Sequence, residues 1–250
     1  MSDVLLTERR GRVLVMTLNR PDQRNALNAE LADALKASLE ELDADGELTA
    51  GVLTANGKNF CAGMDLKEFA TKGPPASMGA IYNQPWQKPL IGGVHGPVLA
   101  GGLELALVCD LLVAAEGSSF GVPEVKRGLL AAGGALVRLP SRLPYAVAME
   151  MSLTGDPISA EEAKQYGLVS KVVPQEQVLD EAIELAERIA ANAPLSIAAS
   201  KQMIRNSAGR TEEEGWAEQG PLAGKIFSSK DSIEGSIAFA EKRQPNWSGE

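Results

Sequence analysis

Histidine occurs once in this 250-residue chain, at His95, and cysteine twice, at Cys61 and Cys109. A single imidazole argues against a Ser-His-Asp site and against a metal centre built on histidine. Two cysteines make neither a disulfide framework nor a metal-ligand set, so no metal is expected. Basic residues are outnumbered, 24 Lys and Arg against 33 Asp and Glu, for a formal net charge of -9. Phosphate backbones call for a basic surface, so nucleic acid is not an expected partner. An anionic ligand would have to be held by a local basic patch or by backbone N–H groups. No apolar run is long enough to cross a membrane. The opening "MSDVLLTERRGRV" lacks the basic-then-apolar layout of a signal peptide, and the expectation is a soluble cytoplasmic protein without a membrane partner.

What is present is apolar sequence, 44% of the residues, enough for one large α/β domain or one domain with a small appendage. "RVLVMTLNRP" reads as a strand ended by Pro21, and "GVLTANG", "PLIGGVHG" and "CDLLVAA" read as buried strands. "NALNAELADALKASLEELDAD" reads as an amphipathic helix, with Leu27, Leu31, Leu35, Leu39 and Leu42 at three- and four-residue steps. Beyond Gly128 the pattern is mostly helical, which predicts an α/β core with a helical tail. Residues 69–86, with three prolines and two glycines, predict a loop or broken helix. "VLTANGKNFCAGM" lies over "LVAAEGSSFGVPE" without a gap. A repeat of strand, turn and strand spaced by a helix is what stacked ββα units produce, and it would bring Met64 and Glu124 into one region.

Glu104 is the residue that composition does not explain. It interrupts "GPVLAGGLELALVCD", where no Lys or Arg could pair with it, and a carboxylate taken out of water costs several kcal/mol unless paired or protonated. It fits a capping-box partner at the third helical position after Gly101, or a desolvated group tuned for proton transfer. Glu124, after Pro123, fits an exposed loop glutamate paired with Lys126 or Arg127, or a second carboxyl close to the 61–64 loop. "NFCAGMDL" fits a plain tight turn, or a turn into a helix capped by Asp65 whose first N–H groups face a ligand. Cys61 and Cys109 read as buried fillers and His95 as a structural residue of a strand-end turn.

The segments "NRPDQRNALN", "NFCAGMDLKEF", "KPLIGGVHGPVLAGGLELALVCDLLVAAEGSSFGVPEVKRGLLAAGGALVRLP", "LTGDPISAEEAKQYGLVSKVV" and "AFAEKRQPNW" resemble the enoyl-CoA hydratase (crotonase) family, in the family's order over nearly the whole chain. The resemblance implies an α/β fold, a crotonase-like spiral of ββα units over residues 1–194. It also implies a C-terminal helical trimerisation region over residues 195–250. The substrate would be an acyl-CoA thioester, with coenzyme A entering as part of the substrate and no cofactor tightly bound. The thioester oxygen would sit between the backbone N–H groups of Met64 and Gly101, and the two catalytic glutamates of the hydratases match Glu104 and Glu124. Arg24, Ala26 and Leu27 would run along the CoA, with Ala62, Asp65 and Leu66 near its adenine. The assembly implied is a homotrimer or a dimer of trimers.

The activity implied is addition of water to a trans-2-enoyl-CoA. Its competitors are another reaction of the same family, isomerisation or dehydration of a specialised acyl-CoA, and a binding protein of this fold without activity. Three departures from the family's usual sequence stand out. Met64 replaces an alanine, Ala100 replaces a glycine, and the stretch from Lys67 to Lys88 is short.

Overall fold

The computed structural model describes residues 3–250. Nine strands run through the described residues: β1 (Leu5–Arg10), β2 (Val13–Leu18), β3 (Ala50–Ala55), β4 (Leu90–Val94), β5 (Pro97–Leu99), β6 (Leu111–Ala115), β7 (Ser119–Gly121), β8 (Ile158–Ser159) and β9 (Lys171–Val173). Six of them form a sheet in the order β1-β2-β3-β4-β6-β9, antiparallel at β1-β2 and parallel elsewhere. A three-stranded sheet, β5-β7-β8, lies beside it in the chain path. The chain passes from β4 to β5 to the Gly101–Ala106 helix, then from β6 to β7 and the short helical turn Pro123–Arg127. This is the predicted α/β spiral, in which the β4–β5 coil and the β6–β7 coil each place one strand in each sheet.

Both faces of the large sheet are covered, which is why β3 is buried at every position and reads as a continuous apolar run. Leu14, Met16 and Leu18 face a core shared with Leu31, Leu35, Leu39 and Leu42 of the Ala29–Ala44 helix. Val13, Val15, Val52 and Ile91 face the opposite way, against Ala182, Ile183 and Ala186 of the Val178–Ala190 helix. The leucine spacing thus located the helix, with one correction. Leu27 lies before it, because the Asn28 side chain accepts from the Leu31 N–H and caps the helix there. Leu27 instead bridges to Met64, and this pairing becomes part of the site.

The internal repeat is partial. β3 and β6 are its first halves, and Phe60 and Phe120 are both fully buried. Residues 119–121 form β7, whereas 59–61 form no strand and meet the next segment through the Phe60 N–H to His95 carbonyl bond of 2.9 Å. Residues 69–86 are a broken helix, as predicted, in two pieces, Leu66–Lys72 and Ala76–Asn83. After residue 193 come three helices, Pro194–Asn206, Glu212–Phe227 and Lys230–Glu241, with little buried surface of their own. Lys201 ties the first of them to the core by pairing with Asp110 at 2.7 Å. No helix among the described residues is long and apolar enough to cross a membrane.

Candidate active site

The site begins where two distant segments become one. The Ala62 N–H donates to the Arg24 carbonyl (2.9 Å), Leu27 N–H to the Gly63 carbonyl (2.8 Å), and Asp65 N–H to the Leu27 carbonyl (3.0 Å). Arg24, Ala26, Leu27, Ala62, Asp65 and Leu66 are thereby brought together. Arg24 is exposed and adopts a left-handed backbone at φ 51°, while Leu66 stands 63% exposed beside it. Asp65 caps the Leu66–Lys72 helix, accepting from the N–H groups of Lys67 and Glu68, so "NFCAGMDL" is a turn into a helix capped by Asp65.

Two residues of this region escaped the sequence reading. Arg20 donates to the Ala26 carbonyl and pairs with Asp65 at 3.1 Å, with both side chains about 85% covered. Asn25, fully buried at φ 53°, donates to the carbonyls of Asn56 (2.9 Å) and Asn59 (2.7 Å) and accepts from the Arg20 N–H. Together they hold the 20–27 and 59–65 segments in register. Replacing Arg20 by Met is expected to destabilise the protein by about 3 kcal/mol, because one partner of a largely covered ion pair is lost and Asp65 is left unpaired. Urea unfolding midpoints would measure the loss.

The Gly101–Ala106 helix starts against the 61–64 loop. A side chain on Gly102 would put its Cβ 2.0 Å from the Cys61 carbonyl oxygen, and one on Gly101 would put it 3.4 Å from the Met64 nitrogen. The backbone nitrogens of Met64 and Gly101 therefore lie near each other, and neither N–H donates to a protein acceptor among the described residues. Ala100 turns the chain from β5 into this helix at φ 53°, ψ −133°, a region comfortable only for glycine. Ala100→Gly is expected to stabilise the protein by about 1 kcal/mol, the relieved strain exceeding the added freedom of the unfolded chain. Urea unfolding midpoints would measure it.

Ala100, rather than Gly101, is the helix cap, and Glu104 sits at the fourth helical position with its own N–H bonded to the Ala100 carbonyl. This overturns the capping-box reading. The Glu104 carboxylate points instead to the start of the Ala135–Arg142 helix, where the Ala135 N–H donates to it at 3.2 Å. It is 5% exposed. Burial raises its pKa, while the N–H groups of Ala135, Gly133 and Gly134 and the Arg138 guanidinium oppose that rise. Gly133 is glycine for a spatial reason, since a Cβ there would lie 2.5 Å from Glu104 Oε2. Arg138 fixes this turn by donating to the carbonyls of Gly133 and Tyr82, and the Tyr82 hydroxyl donates to the Gly101 carbonyl at 3.2 Å.

Glu124 is not the exposed, lysine-paired loop residue that its spacing allowed, because Lys126 pairs with Asp156. Glu124 Oε2 is buried and makes no hydrogen bond. Burial raises the Glu124 pKa first, and the nearby Glu104 charge raises it further, against its own N–H and Arg127. The two glutamates are thus within electrostatic reach of each other. An unpartnered carboxyl oxygen in a buried setting is costly unless a ligand or water supplies the missing bond. Cys61 and Cys109 are buried free thiols whose pKa values burial pushes to about 12, and His95 is held through the Gly57 carbonyl at 3.1 Å. All three are structural, as expected.

The raised Glu104 pKa has a stability consequence. A carboxyl whose pKa rises on folding favours the fold at low pH, and that contribution is lost as pH climbs through the folded-state value. Glu104→Gln, which stays neutral, should therefore exceed the wild type in stability at pH 7–8 by about 1 kcal/mol. The difference should vanish below about pH 3, where the wild-type carboxyl is protonated in both states. Thermal melts at the two pH values test the sign.

Residues 8–250 match the family described as enoyl-CoA hydratase/isomerase. The chain is similar to an enoyl-CoA hydratase of Mycobacterium tuberculosis, 41% identical over 97% of this chain and 95% of the other. It is 40% identical to a carnitinyl-CoA dehydratase of Salmonella paratyphi A, with both chains covered in full. The crystal structure of an enoyl-CoA hydratase of Mycobacterium marinum superposes with a TM-score of 0.94 at 49% identity, again over the whole of both chains.

Proposed function

The chain belongs to the enoyl-CoA hydratase/isomerase family, and from that premise we propose that it adds water across the C2=C3 bond of a trans-2-enoyl-CoA. The observation that carries the reading is the pair of carboxyls, the buried Glu104 anchored on the N–H of Ala135 and the half-buried Glu124 with its covered Oε2 left unpartnered. Between them they can hold one water. The thioester carbonyl oxygen takes the paired N–H groups of Met64 and Gly101, which makes C3 electrophilic and accepts the negative charge that develops as water adds. Met64 contributes its main chain, so replacement of the family's usual alanine leaves this donor in place.

The environments divide the labour. Glu104 has three N–H groups and a guanidinium favouring its ionised form, whereas Glu124 faces the Glu104 charge. Glu104 is therefore the base that takes a proton from water as its oxygen bonds to C3. Glu124 is the acid that delivers a proton to C2 as the enolate electrons return. Passage of a proton from Glu104 to Glu124 then resets the pair. Coenzyme A enters with the substrate, along Arg24, Ala26 and Leu27 and past Ala62, Asp65 and Leu66, and no tightly bound cofactor takes part. A phosphate-rich substrate meets an acidic protein here through the exposed Arg24 and main-chain donors.

Loss of the conjugated-thioester absorbance of crotonyl-CoA on incubation with the protein tests the reading, and no turnover of short or medium enoyl-CoAs would refute it. The same groups run in reverse dehydrate a 3-hydroxyacyl-CoA, a second reading favoured by similarity to a carnitinyl-CoA dehydratase. We also propose that residues 195–250 join subunits into a homotrimer or a dimer of trimers. The exposed Trp216, Phe227 and Phe239 on helices with little buried surface support this.

A further inference from the structure

An apolar cavity of about 300 Å³ opens beside the second carboxyl. Val125, Leu130, Leu136, Tyr145, Met149 and Leu153 form much of its wall, and Glu124 is the one charged side chain among the residues lining it. The cavity adjoins the site at Glu124, which lines it, and the Ala135–Arg142 helix borders both. The first N–H of that helix holds Glu104, and its next residue, Leu136, lines the cavity. Leu130, Tyr145 and Leu153 are 68%, 70% and 68% exposed, so the wall stands open with apolar surface that an occupant would cover.

We infer that this cavity receives the acyl chain beyond C3 and selects uncharged hydrocarbon chains against chains ending in a carboxylate. The inference rests on the function proposed above in taking a thioester as the ligand. The selection follows from the wall itself. A terminal carboxylate would leave water for an apolar surface with no lysine or arginine to receive it. Hydrocarbon gains from each methylene it buries against the leucines and Met149.

The test compares equilibrium binding of hexanoyl-CoA and adipoyl-CoA, which share a six-carbon acyl chain and differ in the terminal carboxylate. Neither requires turnover. Hexanoyl-CoA is expected to bind on the order of 100-fold tighter, and octanoyl-CoA about tenfold tighter again. Leu130→Arg should weaken hexanoyl-CoA and strengthen adipoyl-CoA, bringing the ratio below about tenfold by giving the carboxylate a partner. Equal affinities for the two six-carbon thioesters in the wild type would overturn the inference. So would a Leu130→Arg protein whose mass by light scattering changes while the ratio does not, since the groove would then be a contact between subunits. Crotonyl-CoA hydration is measured separately. Its absence counts against water addition, while the binding ratio still decides the acyl class.

Discussion

Glu124→Gln is expected to hydrate crotonyl-CoA about 10²–10⁴-fold more slowly than the wild type, the range for loss of a positioned acid or base. Its affinity for a saturated acyl-CoA should stay within a few-fold. Glu104→Gln should fall in the same range. The reasoning is one of charge and reach. Glutamine keeps the shape of each side chain and can still accept the Ala135 N–H at position 104, so substrate contacts persist while the proton-transferring oxygen is lost. Binding measured by titration and turnover by thioester absorbance separate the two effects. Near-wild-type turnover in either variant would remove that glutamate from the chemistry. The wild-type kcat/KM should be bell-shaped in pH, with its rising limb above the ordinary carboxylate range, because burial raises both groups.

Gly133→Ala is the second large effect. The added methyl would lie 2.5 Å from Glu104 Oε2 and 2.8 Å from its Cδ, so the carboxylate has to move off the Ala135 N–H. Misplacing a reacting group by about 1 Å costs on the order of 100-fold in rate, and kcat is expected to fall by about that factor. The backbone of Gly133 needs no left-handed conformation, and its other near contact is the edge of Tyr82 at 3.1 Å. Global stability should therefore change little, and circular dichroism melts beside kinetics would confirm that the loss lies in the site. A kcat equal to wild type would mean that the position of Glu104 is not controlled from this turn.

Much of this was legible in the sequence because it is local or periodic. The leucines of the Ala29–Ala44 helix, the buried strands and the Asp65 cap follow from spacing and from side chains acting on neighbouring N–H groups. Leu27 shows how periodicity overruns, since a leucine at the right step belongs to the pairing with Met64 once Asn28 caps the helix. Strands β8 and β9, of two and three residues, are too short to carry a pattern. Arg20, Asn25, Tyr82, Gly133 and Arg138 were not legible because their work is done on backbone carbonyls or carboxylates far along the chain, as with Arg138 and Tyr82, 56 residues apart. Glu104 was singled out as a carboxylate with no cation in its own stretch, and the charge it feels comes from Arg138, far along the chain. Only the start of the Gly101–Ala106 helix at the Ala100 cap removed the capping-box reading.

The account's central claim is that the two carboxyls act together on one water, and a double-mutant cycle tests it directly. Crotonyl-CoA hydration by the Glu104→Gln/Glu124→Gln protein should fall no more than about tenfold below the slower single variant, since disabling either member already disables the pair. Losses that multiply, so that the double variant shows the product of the two single defects, would contradict a shared step.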